Sequence, residues 1–211
     1  MNHNKTILAI ACAAALALPA IASADETGFA IQVGPTALKP ANKSDAFSAL
    51  GINFAADSIS VSKKTIPEID VFYGFTPNLV AQVVLTIPQS HTVSLAGVGD
   101  LGTFKQLPPT FLAQWHFLPG GVVDPYLGAG VNVTMIWGTQ LSVAGNRLDL
   151  DHNSVGFAYQ AGARFNIDKQ MFVNLDYKHA ALATNVYIGG ATLTKVKVDP
   201  NLIGLAFGMH F

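Results

Sequence analysis

Glu68, Asp70, Arg164 and Asp176 are the residues of this sequence best placed to do chemistry away from water, because each stands one position from a large apolar neighbour. In Glu68-Ile69-Asp70-Val71-Phe72 and Leu175-Asp176-Tyr177-Lys178 the charges recur at every second residue, which puts them on one face of an extended strand. Opposite charges facing one another there would form a buried ion network, and unpaired they would be costly. Catalytic patterns are missing. Neither G-x-S-x-G nor H-E-x-x-H occurs, and His3, His91, His116, His152, His179 and His210 are scattered without ligand spacing. His152 beside Asp149 and Asp151 reads as a polar loop rather than a metal site. Gly97, Gly99 and Gly102 spell a formal G-x-G-x-x-G, but Leu107-Pro108-Pro109 follows soon after and no helical period appears, so a nucleotide site is not expected. The sequence therefore points to no enzyme, no metal and no cofactor.

The elements that would carry those charges are strands of unusual character. The last stretch, Val198 to Phe211, alternates Ile203, Leu205, Phe207 and Met209 with Gly204, Ala206, Gly208 and His210, and ends flush on Phe211. Period two is the signature of a strand, and an edge ending on an aromatic residue has nothing left in the chain to cover it. Pro125 to Trp137 carries the clearest alternation, with Leu127, Val131, Val133, Met135 and Trp137 opposite Gly128, Gly130, Asn132 and Thr134. Small and polar residues opposite aliphatic ones are what a lumen face and a lipid face look like.

Composition excludes the ordinary soluble class. Half of the residues are hydrophobic and 12% are charged, against ~25% charged in a typical soluble domain. After the N-terminal segment, no uninterrupted apolar run reaches the ~18 residues that a membrane helix requires. Backbone groups in lipid must be paired internally, so a closed barrel is the remaining way to span a membrane. Residues 1–24 read as an export signal: Lys5, an apolar run from Ile7 to Ile21, and Ala22-Ser23-Ala24 before Asp25. The single cysteine, Cys12, lies inside it, so the expected mature chain has neither thiol nor disulfide. The formal charge of −1, or −2 once Lys5 leaves with the signal, suggests no nucleic-acid partner.

Eight strands follow from the alternation: 28–39, 66–75, 79–87, 109–117, 125–137, 154–166, 171–183 and a closing strand that starts as early as Leu193. Three tight connections alternate with four long ones, over 40–65, 88–106, 138–153 and about 185–191, the first predicted to hold a helical turn from Ser44 to Leu50. This is an all-β fold: an eight-stranded antiparallel transmembrane β-barrel over 25–211, with short periplasmic turns, longer extracellular loops and both ends in the periplasm. Phe75, Phe117, Tyr126, Phe165 and Phe211 are expected in the periplasmic aromatic girdle and Trp137 in the outer one.

Pro108 to Phe117 (PPTFLAQWHF), Asp124 to Thr134 (DPYLGAGVNVT), Ser154 to Phe165 (SVGFAYQAGARF) and the closing VDPNLIGLAFGMHF resemble the outer membrane protein W family of Gram-negative bacteria, which includes AlkL-like hydrocarbon-uptake proteins. The resemblance covers most of the C-terminal half and fits the N-terminal third more loosely. It implies a bacterial outer-membrane barrel that carries small hydrophobic molecules inward, with lateral release into the membrane as one route. It also implies that Leu205, Phe207, Met209 and Phe211 form the signal read by the barrel-assembly machinery. Eight strands enclose only enough space for their own side chains or one small ligand, so a wide aqueous pore is excluded. Within that lumen, Phe72, Val84, Leu112, Phe172 and Leu202 are the expected apolar path. Arg164 with Asp176, Asp70 or Glu68 is the expected ion network plugging the periplasmic half. The expected partners are outer-membrane lipid, the assembly machinery and small hydrophobic solutes, with the barrel acting as a monomer. The alternative is a non-conducting structural, adhesin or receptor barrel acting through its external loops.

Overall fold

The computed structural model describes residues 27–49 and 51–211, so the export signal expected over 1–24 lies outside the described residues. The first strands are β1 (Gly28–Lys39), β2 (Lys43–Ser44), β3 (Phe47–Ala49), β4 (Ile52–Phe54), β5 (Ile59–Val61) and β6 (Lys64–Gly74). Next come β7 (Leu79–Thr86), β8 (Gln89–Leu95), β9 (Gly99–Leu107), β10 (Thr110–His116), β11 (Val123–Val143) and β12 (Asn146–Leu150). The chain ends with β13 (Asn153–Asn166), β14 (Met171–Ala180), β15 (Ala183–Ile188), β16 (Ala191–Lys197) and β17 (Asn201–His210). No helix occurs among the described residues.

Eight strands close on themselves in the order β1, β6, β7, β10, β11, β13, β14, β17 and back to β1, all antiparallel. Closure removes every free edge from the wall. Alternation sorts the side chains: Ile69, Tyr73, Leu127, Val131, Leu205 and Phe207 face outward and are exposed, while Glu68, Asp70, Gln114, Asn132 and Asp176 are buried inside. Packing inside the narrow tube needs small residues opposite large ones. Gly208 on β17 leaves room for the Phe172 ring, which a Cβ there would strike, and Gly162 does the same for Tyr126.

Above this wall stands a second tier of strands where the sequence pattern predicts loops. The segment 88–106 is the hairpin β8–β9, β11 continues beyond Trp137 to Val143 and turns back as β12, and β15 and β16 form another hairpin. The helical turn expected over 44–50 is replaced, across its described part, by the end of β2 and by β3. Its residues alternate buried and exposed, Phe47 and Ala49 pointing inward around Ser48, so the period is two and not 3.6. β3 and β4 form a two-stranded sheet of their own, outside the hydrogen-bonded path of the wall. Pro35 does not interrupt β1; it sits opposite Pro67 of β6, two residues without N–H groups meeting in register.

Candidate functional site: a stacked lumen

Side chains from the two tiers divide the interior into four levels. The uppermost is a narrow chamber of about 40 Å³, walled by Phe47, Val61, Leu101, Phe104, Leu148 and Val196 among others. Thr184 is the one residue with a polar side chain in its lining, so the chamber gives water too few partners and is suited to apolar matter. The β3–β4 hairpin reaches it from above, with Phe47 stacked on Phe54 at 5.0 Å between ring centres.

Below the chamber lies a polar step. His91 Nδ1 is 3.0 Å from the Ser62 carbonyl, which can only accept, so that nitrogen carries the proton and Nε2 accepts from Gln106 Nε2 at 3.2 Å. Burial pushes the His91 pKa down from its ordinary value, partly offset by its bond to the Ser62 carbonyl. Beneath this step a second cavity of about 40 Å³ is lined by Leu38, Ile66, Val84, Leu112, Ala180 and Leu202, with Glu68 and Lys178 also on its wall. Pro108, Pro200, Tyr159 and His179 border it as well, and the Tyr159 side is exposed on the outer face of the barrel.

The third level is a hydrogen-bonded belt. Lys178 Nζ lies 2.7 Å from both Glu68 Oε1 and Asp176 Oδ1. Asp176 Oδ2 accepts from Asn174 at 3.0 Å and Gln160 at 3.2 Å, and Gln114 donates to Gln82 at 2.8 Å and Gln160 at 3.1 Å. Tyr126 donates to Asn174 at 3.1 Å, and Gln32 donates to Asp70. At the periplasmic end, the Arg164 guanidinium sits over the rings of Phe72 and Phe172, 4.6 and 4.8 Å from their centres. His116 is held there between Asp124 and Gln114 and stacks on Tyr126.

Two expectations change with this geometry. The five residues of the expected apolar path do not line one passage: Val84, Leu112 and Leu202 border the middle cavity, while Phe72 and Phe172 pack with Ala30 and Val80 on the far side of the belt. The expected ion network also has a different cation. Glu68 and Asp176 gather around Lys178, and Asp70 is held by Gln32, whereas Arg164 lies lower, in register with Asp124 and stacked on phenylalanines. Tyr126 belongs to this interior and not to a girdle, being 2% exposed. Leu205, Phe207, Met209 and Phe211 are all exposed on the outer face of the closing strand.

A closed eight-stranded wall with an apolar exterior and a tall, strand-built crown narrows the kinship, and comparison with known proteins decides it. The OmpW family model matches residues 25–211. The chain belongs to the OmpW family. It is 33% identical to the uncharacterized outer-membrane protein y4mB of Sinorhizobium fredii, over 95% of this chain and 90% of that one. It is 29% identical to outer membrane protein W of Vibrio cholerae, over 99% and 100% of the two chains. Among solved structures, OprG of Pseudomonas aeruginosa superposes with a TM-score of 0.77 at 24% identity, covering 89% of this chain and 99% of that one, a likeness of fold. Membership of the OmpW family places the chain in the bacterial outer membrane.

Proposed function

We propose that this OmpW-family barrel takes up small hydrophobic molecules from the cell exterior through its upper chamber and passes them sideways through the wall at the middle cavity. The observation that carries this reading is the order of the levels: apolar space above, a hydrogen-bonded ionic belt below. An apolar solute entering the belt would have to part Lys178 from two carboxylates while offering them no partner, which buried charges do not tolerate. The middle cavity offers a way around, since its border includes Tyr159, Pro108 and Pro200 at the barrel wall, and prolines cannot complete the ladder there. The buried His116–Asp124 pair is engaged by the Gln114 side chain and the Leu118 amide, neither of them a nucleophile, so the proposed uptake involves no enzymatic step.

Uptake of a small aromatic hydrocarbon into liposomes tests the proposal. Vesicles holding the barrel should load faster than empty ones, and Val61→Trp, which fills the upper chamber, should remove the difference. Equal loading of barrel-containing and empty vesicles would discard the channel and leave a barrel acting through its external surface.

A further inference from the structure

On the outer side of the wall, where β13 meets the link between β14 and β15, the structure has an open groove of about 430 Å³. Its floor is Ser154, Val155 and Gly156, and Lys195 and Lys197 reach into it from β16. Height along the barrel says what this groove faces. Val155 lies ten residues along β13 from Phe165 at the periplasmic end. At ~3.3 Å per residue and a tilt of ~40°, that is about 25 Å, the full depth of a barrel's apolar band. The groove therefore opens at the level of the outer-leaflet head groups.

Its charges are unevenly committed. Asp151 accepts from Tyr187 Oη at 2.7 Å, the Asn185 amide at 2.8 Å and Asn185 Nδ2 at 3.0 Å. Asp199 accepts from the Leu182 amide at 2.8 Å. Asp45, whose amide bonds the Lys195 carbonyl, does not line the groove. Lys195 and Lys197 form no ion pair among the described residues. Lys197 moreover stands directly opposite Lys43 across the β2–β16 pair, a like-charge arrangement that weakens a sheet, and only Lys43 is offset, by Asp57 at 2.7 Å. Lys195 and Lys197, on one face of a strand and without an ion pair among the described residues, fit a phosphate group in this polar recess beside lipid, whose Asp151 and Asp199 carboxylates keep their charge but are held by neutral donors.

We propose that this groove seats the phosphorylated head group of an outer-leaflet glycolipid, with a phosphate held by Lys195 and Lys197. Seating relieves the repulsion between β2 and β16 and fixes the base of the upper tier against the membrane. Native mass spectrometry of the detergent-solubilised full chain, with diphosphoryl lipid A and its dephosphorylated form as probes, provides the test. A lysine at an anionic head-group layer contributes a factor of about five in affinity, so the Lys195→Gln/Lys197→Gln double variant should bind the diphosphoryl lipid about 25-fold more weakly. Lys169→Gln, at a periplasmic turn, should leave binding unchanged. Wild-type protein should prefer the phosphorylated over the dephosphorylated lipid, a comparison that needs no variant to fold. Equal retention of the two lipids, or displacement of the lipid by millimolar inorganic phosphate alone, would overturn the assignment.

Discussion

The wall and the crown of this barrel are built from the same kind of strand with opposite polarity, and β11 runs through both. In its lower part Asp124, Asn132 and Thr134 are buried while Leu127, Val131 and Met135 are exposed. From Ile136 upward the buried side becomes Ile136, Leu141 and Val143, and Ser142 faces out. The inversion falls where β9 and β11 shift register between Trp137 and Gln140. A bulge at that height turns the strand as its surroundings change from hydrocarbon to water. Below the inversion the solvent is lipid, and the interior is held by hydrogen bonds and charge pairs. Above it the hydrophobic effect works in the usual direction, and the interior is a greasy chamber.

Removing the belt's cation should break the lower half of this comparison most severely. Lys178→Met leaves Glu68 and Asp176 buried without their shared partner, and loss of one member of a buried ion pair costs about 3–5 kcal/mol. Urea unfolding of the refolded barrel in vesicles measures it, and an unchanged midpoint would mean that the belt does not hold the wall. Next in size is a charge on the lipid face: Leu127→Arg, near mid-depth of β11, should cost about 2–4 kcal/mol. Ser142→Arg on the same strand, outward but above the inversion, should stay within about 0.5 kcal/mol of wild type. Equal costs at the two positions would erase the boundary placed between them. In the crown, Ile136→Val removes one methylene from the tier's apolar packing and should cost about 0.5–1.5 kcal/mol, read as earlier proteolysis of the upper hairpins with the wall intact.

What the sequence reveals divides along the same line. The wall is legible because each strand repeats one contrast, large apolar against small or polar, for long enough to count, and because only closure in lipid explains an apolar exterior. The crown reads as loops in the sequence. Its strands are short, and β8 buries Gln89 and His91 alongside Val93 and Leu95, so the contrast between its faces is weak. The glycines at 97 and 99 next to that alternation were the available sign of a hairpin. Within the lumen, alternation assigns Arg164 and Lys178 alike to the inner face but says nothing of height. Height depends on the stagger between strands: Arg164 is level with Asn174 and Asp124, and Lys178 with Gln160 and Leu202. That stagger gives Glu68 and Asp176 to Lys178, sets Arg164 lower, over the rings of Phe72 and Phe172, and splits the expected apolar path in two.

The most local effect expected is a pH dependence confined to the crown. His91 is buried and neutral, with its pKa held below the ordinary value chiefly by desolvation. Between that lowered value and the unfolded value near ~6.5 the open state binds more protons than the folded one, so stability rises with pH across this window. The contribution of His91 is therefore complete above ~6.5 and is lost as the pH falls toward the folded pKa. Amide exchange in β8 and β9 should speed up on acidification, relative to β1 and β17 in the wall. The bond from His91 Nδ1 to the Ser62 carbonyl ties β8 to the segment leading into β6, so opening there would loosen the floor of the apolar chamber before anything below it. His91→Gln, which keeps a donor at that position and cannot be charged, should abolish the pH dependence. Persistence of the acid effect in that variant would assign it to another group and remove His91 from the account of the chamber floor.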